Sequence, residues 1–427
     1  MNTASCTSLR ITYTPVRSHG PTRLPSTTLR HRQTRHKQHA AAASYYRGGT
    51  SRGVIFQPND LPADESQWPR IFRHVLGGPD PYGRQLDGLG AGISSLSKIC
   101  LVSPSARKDA DIDYTFIGVG IDTPELDTSG NCGNMSAAVG PYAYDKRMLG
   151  DSIDYSSKRE VTVRIHNTNT GVIIHSIFPV ADGTSLPADT EPVSISGVPG
   201  TAAKVTLHFL RPGGAKTGKL LPTGNPMDVF SNHCVSCIDA TNPSIFIQAS
   251  SLGIPGPILP NTLIEMPSVL NELEHLRRQG AEAMGLLQAD GTPYRSQPKI
   301  AMVSKPEEHT TLSGETLPAS SVDLVVRFVS DGQPHRAIPL TGALCTAAAA
   351  QVPGTVVAEL LAEERVMEGI VTLGHPSGMI RVDAVSDGEG GVKTVTVLRT
   401  ARRIMDGVVY WEDGVRVELP RDVDVST

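Results

Sequence analysis

Thr128-Ser129-Gly130-Asn131-Cys132-Gly133-Asn134-Met135-Ser136-Ala137-Ala138 sets a cysteine inside a glycine turn and follows it at once with small helix-forming residues. Asn and Ser are favoured at helix N-caps, and Met-Ser-Ala-Ala-Val fits a first helical turn. The stretch therefore predicts a helix that starts beside Cys132. A helix start leaves backbone N–H groups without intrahelical partners and carries the positive end of the macrodipole. Both favour negative charge there, on the cysteine sulfur or on a carboxylate ligand beside it. The plain alternative is a buried structural cysteine at a tight helix entry, because free cysteine is among the most buried residue types.

Two glycine loops precede this turn. Arg47-Gly48-Gly49-Thr50-Ser51-Arg52-Gly53 lies between Tyr45-Tyr46 and Val54-Ile55-Phe56 and reads as strand, loop, strand. Arginine grips carboxylates through its planar fork, so the loop is a reasonable anion cradle. It lacks the GxxxxGK[ST] pattern of a nucleotide loop. An ordinary hairpin with solvated arginines is the alternative. The second loop, Asp87 to Ser97, ends in hydroxyls at Ser94, Ser95 and Ser97, and Lys98 then enters the apolar Ile99-Cys100-Leu101-Val102. A lysine in a buried strand is costly unless paired or functional. Desolvation or cationic neighbours would favour its neutral amine, a general base. Alternatively its stem lies along the sheet edge and its amine reaches water.

Strand patterns dominate the remainder. Val161, Val163 and Ile165 alternate, as do Val172 and Ile174, which predicts a hairpin around 166–171. Leu220 to Asp228 reads as a connector. Ser268 to Met284 is the best amphipathic helix, and strands are expected at 299–304 and 322–328. Ile338-Pro339-Leu340-Thr341-Gly342-Ala343-Leu344-Cys345 then runs into four alanines, a second small-residue helix with a cysteine near its start. This echoes the first half and suggests an internal duplication. His375, in Gly374-His375-Pro376-Ser377-Gly378, could meet a ligand or cap its turn.

Composition narrows the function classes. The 427 residues suffice for two or three domains, and no run of 18 apolar residues suggests a membrane helix. Seven of the 39 Lys and Arg residues, and none of the 43 Asp and Glu residues, lie in 1–43, so the rest of the chain is acidic overall. That body is a poor nucleic-acid partner, since phosphate contacts need clustered positive charge. The basic, acid-free start resembles a mitochondrial transit segment, although Pro15, Pro21 and Pro25 weaken an amphipathic helix; cytoplasmic and mitochondrial placement both stay open. Six scattered cysteines form no disulfide framework, and Cys234-x-x-Cys237 has no second pair at zinc-ligand spacing. No metal and no cofactor are expected.

Together these elements predict an α+β fold of two similar lobes. Each is a strongly curved, mostly antiparallel sheet wrapped around a central helix. Residues 1–43 are a basic disordered or targeting segment, 44–215 the N-terminal lobe and 216–427 the C-terminal lobe, whose last strands could return to the first. Two helix starts would meet at a cleft between the lobes, suited to a small di- or tricarboxylate. The implied chemistry is proton abstraction next to a carboxylate, with backbone donors stabilising an enolate-like intermediate.

The Arg47–Gly53 loop, the Gly90–Lys98 loop, Ser129–Asn134, Leu221-Pro-Thr-Gly-Asn-Pro226, Leu340–Cys345 and Gly374–Gly378 resemble, in order, the motifs of PrpF-type proteins. That group includes 2-methylaconitate cis–trans isomerase and the aconitate and methylitaconate isomerases. The resemblance covers Tyr45 to about Trp411. It implies the diaminopimelate-epimerase-like fold, a cofactor-independent isomerase, and Lys98 and Cys132 as its catalytic pair. The family's first loop usually ends Thr-Ser-Lys-Gly; Arg52 stands here instead, which keeps the charge but alters its geometry. On this reading Arg47, Thr50, Ser51, Arg52, Ser94, Ser95, Asn131, Gly133 and Asn134 hold carboxylates, with Lys305, Thr341 and Gly342 from the second half. A homodimer is compatible with the pattern. Two rivals stand: an amino-acid epimerase with two facing thiols, for which Cys345 lies three residues beyond Gly342, and a non-catalytic tricarboxylate-binding protein.

Overall fold

Period-two alternation becomes sheet. A computed structural model describes residues 38–412 apart from 151, 152, 157, 158, 189, 331 and 368. Its longer strands are β1 (Gln38–Gly48), β2 (Ser51–Phe56), β3 (Lys98–Pro104), β4 (Ile112–Val119), β5 (Arg159–Asn167), β6 (Ile173–Ala181), β7 (Ala202–Leu210), β8 (His233–Ala240), β9 (Asn242–Gln248), β10 (Lys299–Ser304), β11 (Leu324–Ser330), β12 (Ile370–His375), β13 (Gly378–Ser386) and β14 (Val392–Glu412). The α-helices are α1 (Trp68–Leu76), α2 (Gly133–Asp145), α3 (Pro260–Ile264), α4 (Pro267–Ala283), α5 (Leu340–Ala349) and α6 (Val356–Leu360). The fold is thus rich in sheet and poor in helix. Among the described residues, no helix is long and apolar enough to cross a membrane. Expectations for 1–37 lie outside the described residues. Strand β1 begins at Gln38, so 38–43, read from sequence as part of the basic segment, pair with β14.

Strand pairing closes a ring. β1 runs antiparallel to β2, β2 parallel to β3, β3 antiparallel to β4, and β4 parallel to β5. β5, β6, β7 and β14 continue antiparallel, and β14 returns to β1. Val161, Val163 and Ile165 on β5 and Ile174, Phe178 and Val180 on β6 point inward, as alternation requires. The second half repeats the order of pairings. β8 is antiparallel to β9, β9 parallel to β10, β10 antiparallel to β11, β11 parallel to β12, and β12, β13 and β14 are antiparallel. In each half the helix with buried small residues, α2 or α5, follows the fourth strand.

Those two helices explain their own composition. Every residue from Gly133 to Tyr144 and from Leu340 to Ala349 is buried, so neither helix can spare a polar face. Small residues let strands approach from all sides. A Cβ on Gly342 would lie 2.6 Å from the Phe328 ring. Helix α2, its ring and α5 share one hydrophobic core, with Tyr46, Tyr114, Tyr142, Phe178, Phe246 and Phe328 among its large members. Helices α1 and α4 sit outside and are amphipathic. α1 buries Ile71, Phe72, Val75 and Leu76, and α4 buries Leu273 and Leu276.

Candidate active site

The cleft is assembled at the starts of α2 and α5. Cys132 is the N-cap residue of α2, only 9% exposed, with Sγ 4.0 Å from Ser51 Oγ. Ser51 gets there through a tight hairpin, in which Gly48 pairs with Ser51 and Gly49 takes a positive φ of 51°. Lys98 opens β3 opposite Gly118, and its Nζ lies 4.7 Å from the Phe116 ring centroid, a cation–π contact. Ser51, Ser94, Ser95, Lys98, Asn131, Cys132, Gly133, Asn134 and Thr341 line one cleft.

The two helix starts touch. A Cβ on Gly133 would stand 3.2 Å from Thr341 Cγ2 and 3.3 Å from Leu340 Cβ. One buried amide fastens them. Asn131 N–H donates to Asn242 Oδ1 (3.0 Å), while Asn242 Nδ2 donates to Asn131 O (2.9 Å) and to Thr341 Oγ1 (3.2 Å). The backbone N–H groups of a first helical turn have no intrahelical acceptor, and Gly133, Asn134, Leu340 and Thr341, which open α2 and α5, all line the cleft.

The cleft's charge is mostly positive. Arg295, Lys299 and Lys98 all line it; Arg295 is paired with Glu125 outside the lining at 3.6 Å, and Lys299 is buried and donates to Ser296 O. Among the described residues lining it, Asp127 is the one carboxylate, and it is already engaged. It accepts from Ser129 N–H (2.8 Å), Ser129 Oγ–H (2.6 Å) and Ser296 N–H (3.0 Å). Burial pushes its acidity down, but these hydrogen bonds and the Arg295 charge outweigh burial and keep its carboxyl below the usual range. His335 is held neutral, its pKa driven to about 3 by burial and by the Lys98 and Lys299 charges. Its Nδ1 accepts from Ala337 N–H at 3.2 Å, which leaves Nε2 as a donor. The arrangement therefore offers cations and donors to a carboxylate-rich ligand, with a thiol and an amine lining the same cleft.

Five sequence-derived candidates lie off this lining. Arg47 Nη1 donates to Gly49 O, Thr400 O and Thr400 Oγ1 (3.0 Å each), so it braces the hairpin against β14. Alternation sends Arg52 to the face opposite Ser51, where its guanidinium lies 5.8 Å from the Tyr45 ring. Thr50 touches the cleft indirectly, accepting from Asn134 Nδ2 at 3.1 Å. Lys305 is exposed just past β10, and Gly342 is packed beneath Phe328. His375 is buried, and its Nδ1 accepts from Ser377 N–H, which is the turn-capping alternative. Sequence reasoning missed Asn242, Arg295, Ser296, Lys299 and His335. The strand signal at 299–304 was legible, but Lys299 at its start carries the charge into the cleft rather than Lys305 at its end. Cys234 is exposed and Cys237 buried on β8, and among the described residues no cluster of three or more His, Cys, Asp or Glu is placed to hold a metal.

A PrpF protein family model matches residues 38–412, nearly all of the described chain. The chain belongs to the PrpF family. It is 37% identical over 374 residues to 3-methylitaconate isomerase of Eubacterium barkeri, covering 86% of this chain and 96% of that one. It is 38% identical over 386 residues to 2-methyl-aconitate isomerase of Shewanella oneidensis, with the same coverage. A crystal structure of methylitaconate-delta-isomerase superposes with a TM-score of 0.72 at 36% identity, covering 90% of this chain and all of that one. This PrpF-family chain is an isomerase, and its sheet-rich fold is shared with that structure.

Proposed function

We propose that the chain isomerises an aconitate-like unsaturated tricarboxylate by removing and returning a proton, without a cofactor, in a cleft between two similar lobes. The repeated order of strand pairings and the facing starts of α2 and α5 support the two-lobe reading. The relatives' names, 3-methylitaconate isomerase and 2-methyl-aconitate isomerase, support the substrate class. The observation that carries the mechanism is that Lys98 and Cys132 line one cleft whose single described carboxylate, Asp127, is already hydrogen-bonded. A polyanion then meets cations at Lys299 and Arg295 and donors at Ser51, Asn131, Asn134 and Thr341.

One of Lys98 and Cys132 takes a proton from the substrate methylene. The electron pair delocalises over the double bond and the adjacent carboxylate, where the backbone N–H groups of the helix starts oppose the growing charge. The proton returns to the other allylic carbon, so the double bond moves or changes geometry and atoms balance.

Proton NMR of the protein with cis-aconitate in D₂O tests this. Conversion with deuterium entering the carbon skeleton is the expected result. Binding of cis-aconitate and 2-methylaconitate with no conversion of either would overturn it in favour of a non-catalytic binding protein. A two-thiol epimerase is disfavoured by Cys345. It is fully buried, its Sγ faces Ile238 O at 3.6 Å, burial pushes its thiol up to about 12, and it is absent from the cleft lining.

A further inference from the structure

A second cavity lies behind the β1–β2 hairpin and shares no lining residue with the Lys98–Cys132 cleft. Thr50, Ser194, Ser196, His375, Arg381 and Arg399 line it. Its wall contains a buried guanidinium that no carboxylate among the described residues neutralises. Arg399, on β14, is 7% exposed. Its Nη1 donates to Leu398 O at 2.9 Å, its Nε has no hydrogen-bond partner, and no carboxylate of the described residues pairs with it. Burial alone pulls its pKa down to about 9.

Arg327, the other deeply buried arginine nearby, shows how this fold treats a guanidinium that is purely structural. Its Nε donates to Ile258 O, its Nη1 to Val326 O and Gly374 O, and its Nη2 to Pro257 O, all at 2.8–3.2 Å. Arg399 has one such bond and faces a cavity. The cavity's other groups add donors, not negative charge. Thr50 Oγ1 accepts from Asn134 Nδ2 and Ser196 Oγ accepts from Met379 N–H, so each hydroxyl keeps its own proton to give. His375 is held neutral by burial and by the Arg399 and Arg327 charges, and Arg381 stands exposed at the mouth. Asn134 Oδ1 is also unpartnered and crowds Gly49 together with the Arg399 side chain, but a neutral amide cannot offset a buried cation.

We propose that this cavity is a second anion site, in which Arg399, with Thr50, Ser196 and Arg381, binds the carboxylate or phosphate group of a small molecule. Its contact with the reaction cleft runs through Thr50 to Asn134, which lines the cleft. The site does not depend on the reaction proposed above.

Calorimetric titration of the full chain with inorganic phosphate, and separately with acetate, tests the proposal; the tighter of the two names the group. Wild type and Lys98→Ala are expected to bind alike. Arg399→Gln is expected to lose about tenfold or more in affinity, the loss of a charge-assisted fork, and Arg381→Gln to lose less. Arg381 is exposed, so its variant keeps the test open if Arg399→Gln does not fold. No binding of either anion at millimolar concentration would overturn the proposal. So would binding that disappears in Lys98→Ala, and so would binding left unchanged by Arg399→Gln, or by Arg381→Gln where only that variant folds.

Discussion

Asn242 fastens the two helix starts with one side chain, donating twice and accepting once among Asn131 and Thr341. Removing it leaves buried polar groups unpaired, at about 1–3 kcal/mol. Asn242→Ala is therefore expected to lower the melting temperature and also to reduce kcat, because Asn131 and Cys132 are adjacent; a thermal melt and a turnover assay check both. Asn242 carried no signal in the sequence, since it stands in an ordinary strand and acts through spatial neighbours 99 and 111 residues away. Cys132 was legible because its glycine turn and helix start are local. The hairpin arginines were only half legible. The strand–loop–strand hairpin was readable, but the alternation that turns Ser51 inward turns Arg52 away, and Arg47 spends its donors on Gly49 and Thr400. Arg52→Gln is accordingly expected to change turnover less than Ser51→Ala does, read as kcat/KM on one substrate.

Helices α2 and α5 work because small residues line them on every side. Gly342→Ala would drive a methyl against the Phe328 ring, 2.6 Å away, and a well-packed core answers such insertion with a loss of about 1–3 kcal/mol. Denaturant unfolding should show a lower midpoint with an unchanged slope. The sequence showed both helices and most strands, since periods of two and runs of alanine are local patterns. It did not show that β2 pairs with β3, or β4 with β5, in parallel. Parallel neighbours are joined by long crossovers, and nothing in either strand names its partner. The return of β14 to β1 and β7 is equally non-local; the sequence left it open that the last strands return to the first lobe, but not which strands they meet.

Across the molecule, two histidines held neutral in the fold make stability depend on pH. His335 and His375 are held neutral, His335 with a pKa near 3 and His375 well below its ordinary value of 6.5, both chiefly by burial. Unfolded, each takes up a proton near pH 6.5; folded, neither does until the pH is far lower. Their contribution is complete above pH 6.5 and is lost as the pH falls below it, at up to about 1.36 kcal/mol per pH unit for each group. Denaturant unfolding at pH 7.5 and pH 5 should find the protein less stable at pH 5, and His335→Gln should flatten that difference.

Lys98 and Cys132 bear the whole chemical reading, so the measurement that bears on it most directly is turnover by a Lys98→Ala, Cys132→Ser double variant, on whichever alkene tricarboxylate the wild type converts. A folded variant, checked by its melt, is expected to lose at least about 100-fold in kcat, as removal of a positioned acid or base requires. Turnover at the wild-type rate would contradict proton transfer through this pair.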